Sequence, residues 1–136
     1  MTAKLSTTVN YIETLTSAKN RRLIHQFYEF MKRNGNSQAY QNNNLKVVIA
    51  YSQFLGQTIS LETISNKSQI ISFLDTKIKG IGEDPDKRWI TTWNDYLGRI
   101  KFFFRWLHNH YESAMDDAQF SDWETPDFIK IKKRKL

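Results

Sequence analysis

The sequence predicts an all-α fold, a small bundle of four to five helices followed by a basic C-terminal tail. Three observations predict it. Apolar residues recur at three- and four-residue spacing in separate stretches, which is the mark of one buried helical face. Helix start and stop signals fall at the ends of those stretches. Only 5 Gly and 2 Pro occur in 136 residues, which suits a fold with few tight turns. A hydrophobic share of 40%, with 9 Phe, 6 Tyr and 4 Trp, can fill a single core in a chain of ordinary domain size.

Residues 1–16 are polar without a sustained period and read as a flexible leader. A first helix is expected over 17–34, with Leu23, Ile24, Phe27, Tyr28, Phe30 and Met31 at helical spacing. Asn34-Gly35 stops it, because glycine accepts the left-handed conformation at a helix C-terminus. Ser37 then caps a helix over 38–56, whose buried stripe would be Tyr40, Val47, Val48, Tyr51, Phe54 and Leu55. The short turn between them implies an antiparallel hairpin. Asn66 caps a helix over 67–79 that buries Ile70, Ile71, Phe73, Leu74 and Ile78.

In the loop GIGEDPDK, Asp84 can cap, Pro85 suits a first helical position and Asp86 favours the positive end of the dipole. A long helix over 86–112 follows, with Trp89, Trp93, Tyr96, Leu97, Ile100, Phe103, Phe104 and Leu107 facing the core. Phe102 and Trp106 fall off that stripe and are expected to be half-exposed. An acidic connector over 112–127 contains Pro126, and the tail from Phe128 alternates Ile and Lys before turning wholly basic. The expected organisation is a leader over 1–16, a helical domain over 17–114, and a connector and linker over 115–136.

Net charge is +6 and it is segregated. Residues 21–56 carry +4, 88–111 carry +3 and 128–136 carry +5, whereas 112–127 carry −6. No run reaches the ~20 apolar residues of a membrane span, and the N-terminus lacks the apolar core of a secretory signal. Zero Cys excludes disulfides and thiolate metal sites. A cytoplasmic protein with no membrane partner is expected. The three histidines, His25, His108 and His110, have no partners at metal or triad spacing. Gly80-x-Gly82 lacks the third glycine of a phosphate loop, and the carboxylates of 112–127 lack EF-hand spacing. Neither catalysis nor a cofactor is expected within this chain.

The first half of the 38–56 helix crowds Gln38, Gln41, Asn42, Asn43, Asn44 and Lys46. Side-chain amides can pair bidentately with adenine edges when a helix presents them to a major groove. The same run also fits an ordinary solvated helix surface. The 86–112 helix offers Lys87, Arg88, Thr91, Thr92, Asn94, Asp95, Arg99, Lys101 and Arg105 outside the aromatic stripe, and basic and hydroxyl side chains suit phosphate contacts, which position a protein without reading sequence. The five basic residues from Lys130 to Lys135 mark nucleic-acid binding or an unstructured terminus.

The pattern Ser37, Tyr40, Asn44, Val48, Tyr51, Phe54 and Leu55 resembles the S-x-x-T-x-x-x-Y-x-x-x-L-x-x-F-x-x-F-L helix of phage-integrase-type tyrosine recombinases. That helix belongs to their N-terminal core-binding, SAM-like domain. Trp93–Leu107, WNDYLGRIKFFFRWL, resembles the last long helix of the domain, which commonly ends in Phe-Phe-x-Trp-Leu. Thr125-Pro126-Asp127-Phe128-Ile129-Lys130 before KKRK is similar to the linker into the catalytic domain. The likeness covers residues 17–136 and is nearest to archaeal integrases. Tyr40 stands where the family has Thr, and Asn44 where it has Tyr. No His is followed three residues later by Arg, so the resemblance implies a core-binding domain with the catalytic domain absent.

What the resemblance implies is half of a C-shaped clamp on a double-stranded recombination half-site, meeting other protomers in the assembled synapse. Tyr40, Gln41, Asn42, Asn43 and Lys46 would face DNA from one helix, and Arg88, Thr91, Thr92, Asp95 and Arg99 from another. Lys130, Lys132, Lys133, Arg134 and Lys135 would track the backbone. The rival readings are a helix-turn-helix regulator or transposase fragment, and a SAM-like protein-interaction module.

Overall fold

The computed structural model describes residues 4–110 and 123–135, and every regular element among them is helical. The chain divides into two compact units, residues 1–64 and 65–136. That division falls inside the stretch 17–114 expected from sequence to be one domain. No helix among the described residues is long and apolar enough to cross a membrane.

The first unit holds α1 (Leu5–Ile12), α2 (Ala18–Arg33) and α3 (Gln38–Leu55), closed by a 3-10 turn at Leu61–Thr63. The helix α1 corrects the expected flexible leader. Its polar composition hides three inward positions, Thr8, Ile12 and the following Leu15, all buried. Thr8 Oγ1 donates to Asn42 Oδ1 at 2.5 Å, and the Arg21 guanidinium donates to the Leu15 carbonyl. Ser17 accepts from the Asn20 N–H and starts α2, which buries Leu23, Ile24, Phe27 and Met31.

The stop after α2 is the expected one. Gly35 takes φ 75°, its N–H donates to the Lys32 carbonyl at 3.1 Å, and the Asn36 N–H donates to Met31 at 3.2 Å. This double bond pattern satisfies two orphan carbonyls of the last turn. Ser37 caps α3 by accepting from the Tyr40 N–H at 3.2 Å. Asn20, wholly buried, ties the unit together. Its Nδ2 donates to Ser52 Oγ (3.1 Å) and the Ile59 carbonyl (3.2 Å), and its Oδ1 accepts from the Leu61 N–H (2.8 Å). The buried arc of α3 holds Leu45, Val47, Val48, Ile49 and Tyr51, packed against α1 and α2. Tyr40 and Phe54, expected in that stripe, lie largely outside it and are 39% and 46% exposed.

The second unit begins with α4 (Lys67–Leu74), whose start is a capping box. Asn66 Oδ1 accepts from the Gln69 N–H, and Gln69 Oε1 accepts from the Asn66 N–H, both at 3.1 Å. The helix ends before residue 79 because the chain tightens into a 3-10 turn at Asp75–Lys77 and then extends. Ile78 is therefore 45% exposed, not buried. The helix α5 (Trp89–His110) begins later than Pro85 suggests, since Lys87 sits at φ 55° and interrupts any helix there. Asp84 still serves the start, its Oδ2 accepting from the Trp89 N–H at 2.8 Å.

The core face of α5 carries Ile90, Trp93, Leu97, Ile100, Phe103, Phe104 and Leu107. Phe102 and Trp106, expected half-exposed, are buried as well. For Phe102 the cause is the chain's return over residues 123–135. Trp123 stacks on Phe102 (6.3 Å between centroids, 17°), and Phe128 meets Phe104 edge-on at 5.2 Å. Ile129 and Ile131 are buried too. Residues 111–122, most of the acidic connector, lie outside the described residues.

Candidate nucleic-acid interface

Each unit presents its own set of the residues named from sequence. On α3 the amide cluster divides by helical angle. Gln41 and Asn42 are corrections, because both are buried and cannot present themselves to a groove. Gln41 Nε2 donates to the Asn36 carbonyl at 2.8 Å, closing the α2–α3 turn, while Asn42 accepts from Thr8. Asn44 is buried with its Nδ2 3.7 Å from Met31 Sδ. Exposed Tyr40 and Asn43 and half-buried Lys46 remain as the outward part of the cluster.

Neither α1 nor α3 contains an acidic residue. The first unit has seven Lys and Arg against three carboxylates, a net +4. All three carboxylates are engaged: Glu13 with His25 (2.5 Å), Glu29 with Lys32 (3.8 Å) and Glu62 with Lys19. The uncompensated charge of this unit is positive.

On α5 the spacing of Thr91, Thr92, Asp95 and Arg99 places them on one face, in line with Arg88 just before the helix. Arg99 is half-buried and the others are exposed. Arg99 Nε lies 3.1 Å from Asp95 Oδ2, and Arg88 Nη2 lies 3.5 Å from Asp86 Oδ2. Asp95, named from sequence as a contact residue, is a carboxylate that repels phosphate; its place in the geometry is to aim Arg99.

The C-terminal tail, read from sequence as a basic linker, is docked on α5. Residues 123–134 run antiparallel to α5, held at both ends by asparagine side chains. Asn109 Nδ2 donates to the Glu124 carbonyl (2.8 Å) and its Oδ1 accepts from the Glu124 N–H (2.9 Å). Asn94 grips Arg134 in the same manner. Between them Lys101 Nζ donates to the Ile131 carbonyl at 2.7 Å. Burial, and then the nearby Lys133 charge, hold the Lys101 ammonium below its usual pKa of 10.5.

Docking sorts the five basic tail residues. The Arg134 guanidinium lies 4.9 Å over the Trp93 ring and 3.5 Å from Asp75 Oδ1, which also accepts from Trp93 Nε1 at 3.3 Å. Arg134 is thus engaged by a cation–π contact and an ion pair while its side chain stays 46% exposed. Lys130 pairs with Asp127 at 3.0 Å, and that hydrogen bond and charge lower the Asp127 pKa. Lys132, Lys133 and Lys135 stand exposed. Asn94 follows Thr91 by three positions, so the tail's end passes the turns of α5 that bear Thr91 and Asp95.

Sequence reasoning missed Thr8, Asn20 and Trp123, and it read Asn94 as a surface polar residue when it is a clasp. Only the isolated apolar residues Trp123, Phe128, Ile129 and Ile131 hinted at a return. No protein-family model, no curated protein and no solved structure matches this chain.

Proposed function

We propose that this chain is the DNA-binding part of a site-specific tyrosine recombinase, gripping one recombination half-site and orienting a separate catalytic domain. The observation that carries the reading is the docked tail. With its backbone bonded to Lys101 and Asn94 of α5, it carries Lys132, Lys133 and Lys135 exposed to solvent along that helix. Such exposed cations contact phosphates and supply affinity without reading bases. Base reading falls to Asn43, and Tyr40 flanks it on the exposed side of α3. Contacts with other protomers belong to the assembled synapse.

The test is fluorescence anisotropy with duplex DNA, starting at low salt because half of a clamp binds weakly. Affinity should fall with a log–log salt slope between about −3 and −5. Replacing Lys132, Lys133 and Lys135 with Gln should make that slope shallower by about 3 units while leaving the helical circular dichroism intact. A flat salt response of the wild-type chain would sink the proposal.

A further inference from the structure

Between α1 and α3 lies an open groove of about 250 Å³, lined by Thr7, Tyr11, Lys46, Ile49, Ala50 and Gln53. Its floor is apolar and its rim is polar. Thr7 and Tyr11 are four residues apart on α1 and so share a face. Gln53 Nε2 donates to the Tyr11 hydroxyl oxygen at 3.1 Å, which leaves the hydroxyl's own hydrogen for another acceptor. Lys46 is the one charged residue in the lining. With no carboxylate on either helix, and Glu13 just beyond α1 bonded to His25, nothing in the lining opposes an anion. One ammonium and two hydroxyl donors form a donor set suited to a phosphodiester.

We propose that this groove seats a backbone phosphate of bound duplex DNA, with Lys46 as counter-charge and the Thr7 and Tyr11 hydroxyls as neutral donors. The inference rests on the DNA-binding reading and extends the contact from α3 onto α1, the segment that composition assigns to a leader. A phosphate here also holds α3 in register, since Lys46 lies one turn beyond Asn43.

The experiment uses the full chain and a duplex of random sequence, again read by anisotropy. Lys46→Gln should weaken binding about 5-fold and make the salt slope shallower by about 0.9. Thr7→Val and Tyr11→Phe should each weaken it about 2- to 5-fold with the slope unchanged, as expected for lost neutral hydrogen bonds. Thr7→Glu, which places a carboxylate in the groove, should cost more than about 10-fold. Thermal midpoints of the four variants should match the wild type, because Thr7 and Tyr11 are exposed and Lys46 is half-exposed. If the wild-type chain shows salt-dependent binding and all four variants bind equally well, the groove is not a phosphate seat while the broader reading stands. If the wild-type chain shows no salt-dependent binding, both fall.

Discussion

Asn94 holds the backbone of Arg134 with both ends of its amide, Nδ2 donating to the carbonyl at 2.9 Å and Oδ1 accepting from the N–H at 2.8 Å. The geometry is that of one rung of a β-ladder, with a helix side chain standing in for the neighbouring strand. Asparagine suits the position because it offers one donor and one acceptor at this reach.

Asn94→Ala should therefore loosen the tail before it unfolds the unit. Two hydrogen bonds are lost where water can partly replace them, so a cost of about 1–3 kcal/mol in chemical denaturation is expected. Native-state hydrogen exchange should locate the change at Ile131–Arg134, with the amides of α5 still protected. Uniformly faster exchange across the unit would contradict the clasp.

The adjacent pair Asn42 and Asn43 should separate stability from recognition. Asn42→Ala takes from the buried Thr8 hydroxyl its nearer acceptor, leaving only the Lys4 carbonyl at 3.3 Å, and should lower stability by about 1 kcal/mol, with discrimination between specific and random DNA unchanged. Asn43→Ala should leave stability alone and reduce discrimination by about 1–3 kcal/mol. Denaturation and competition binding measure the two quantities. Equal loss of affinity for both DNA targets in Asn43→Ala removes it as a base reader.

Ile12 is wholly buried at the end of α1. Ile12→Ala should cost about 2–5 kcal/mol in urea or thermal unfolding, from lost transfer energy and the cavity left behind. A dispensable leader would lose nothing measurable.

Burial holds the Tyr51 hydroxyl pKa well above its usual 10.0. Below pH 10 both states keep the proton, so this contribution to stability is fully present. As pH rises past 10 the unfolded chain ionises first, and stability falls by up to about 1.4 kcal/mol per pH unit from this group. Urea titrations across that range measure the slope, and Tyr51→Phe should flatten it. An identical slope in the variant would refute the assignment.

Local signals in the sequence proved legible where their partners are local. Ser37, Asn66 and Gly35 satisfy backbone groups within a few residues, and each acts as the sequence implies. The apolar period of α2 and α5 likewise located their buried faces. Periodicity failed where a polar side chain is buried by a distant partner. Gln41 and Asn42 read as wet because the turn at Asn36 and the helix bearing Thr8 are not visible from α3 alone. Phe102 read as half-exposed because its cover arrives with the chain's return at Trp123. For the candidate site the divide was similar: Tyr40, Asn43 and the tail lysines are exposed as the sequence implies, while the contacts of Arg134 with Asp75 and Trp93 come from residues distant in the chain.

The side chain of Asn20 fixes a limit on the chemical ageing of the first unit. Deamidation would exchange its Nδ2 for a carboxylate oxygen facing the Ile59 carbonyl, so that a donor bond becomes a repulsion inside a dry site. The Ile59 carbonyl would lose its donor, while the Leu61 N–H would keep an oxygen to bond. Burial also protects against that reaction, because the backbone nitrogen that must attack the amide is locked within a helix.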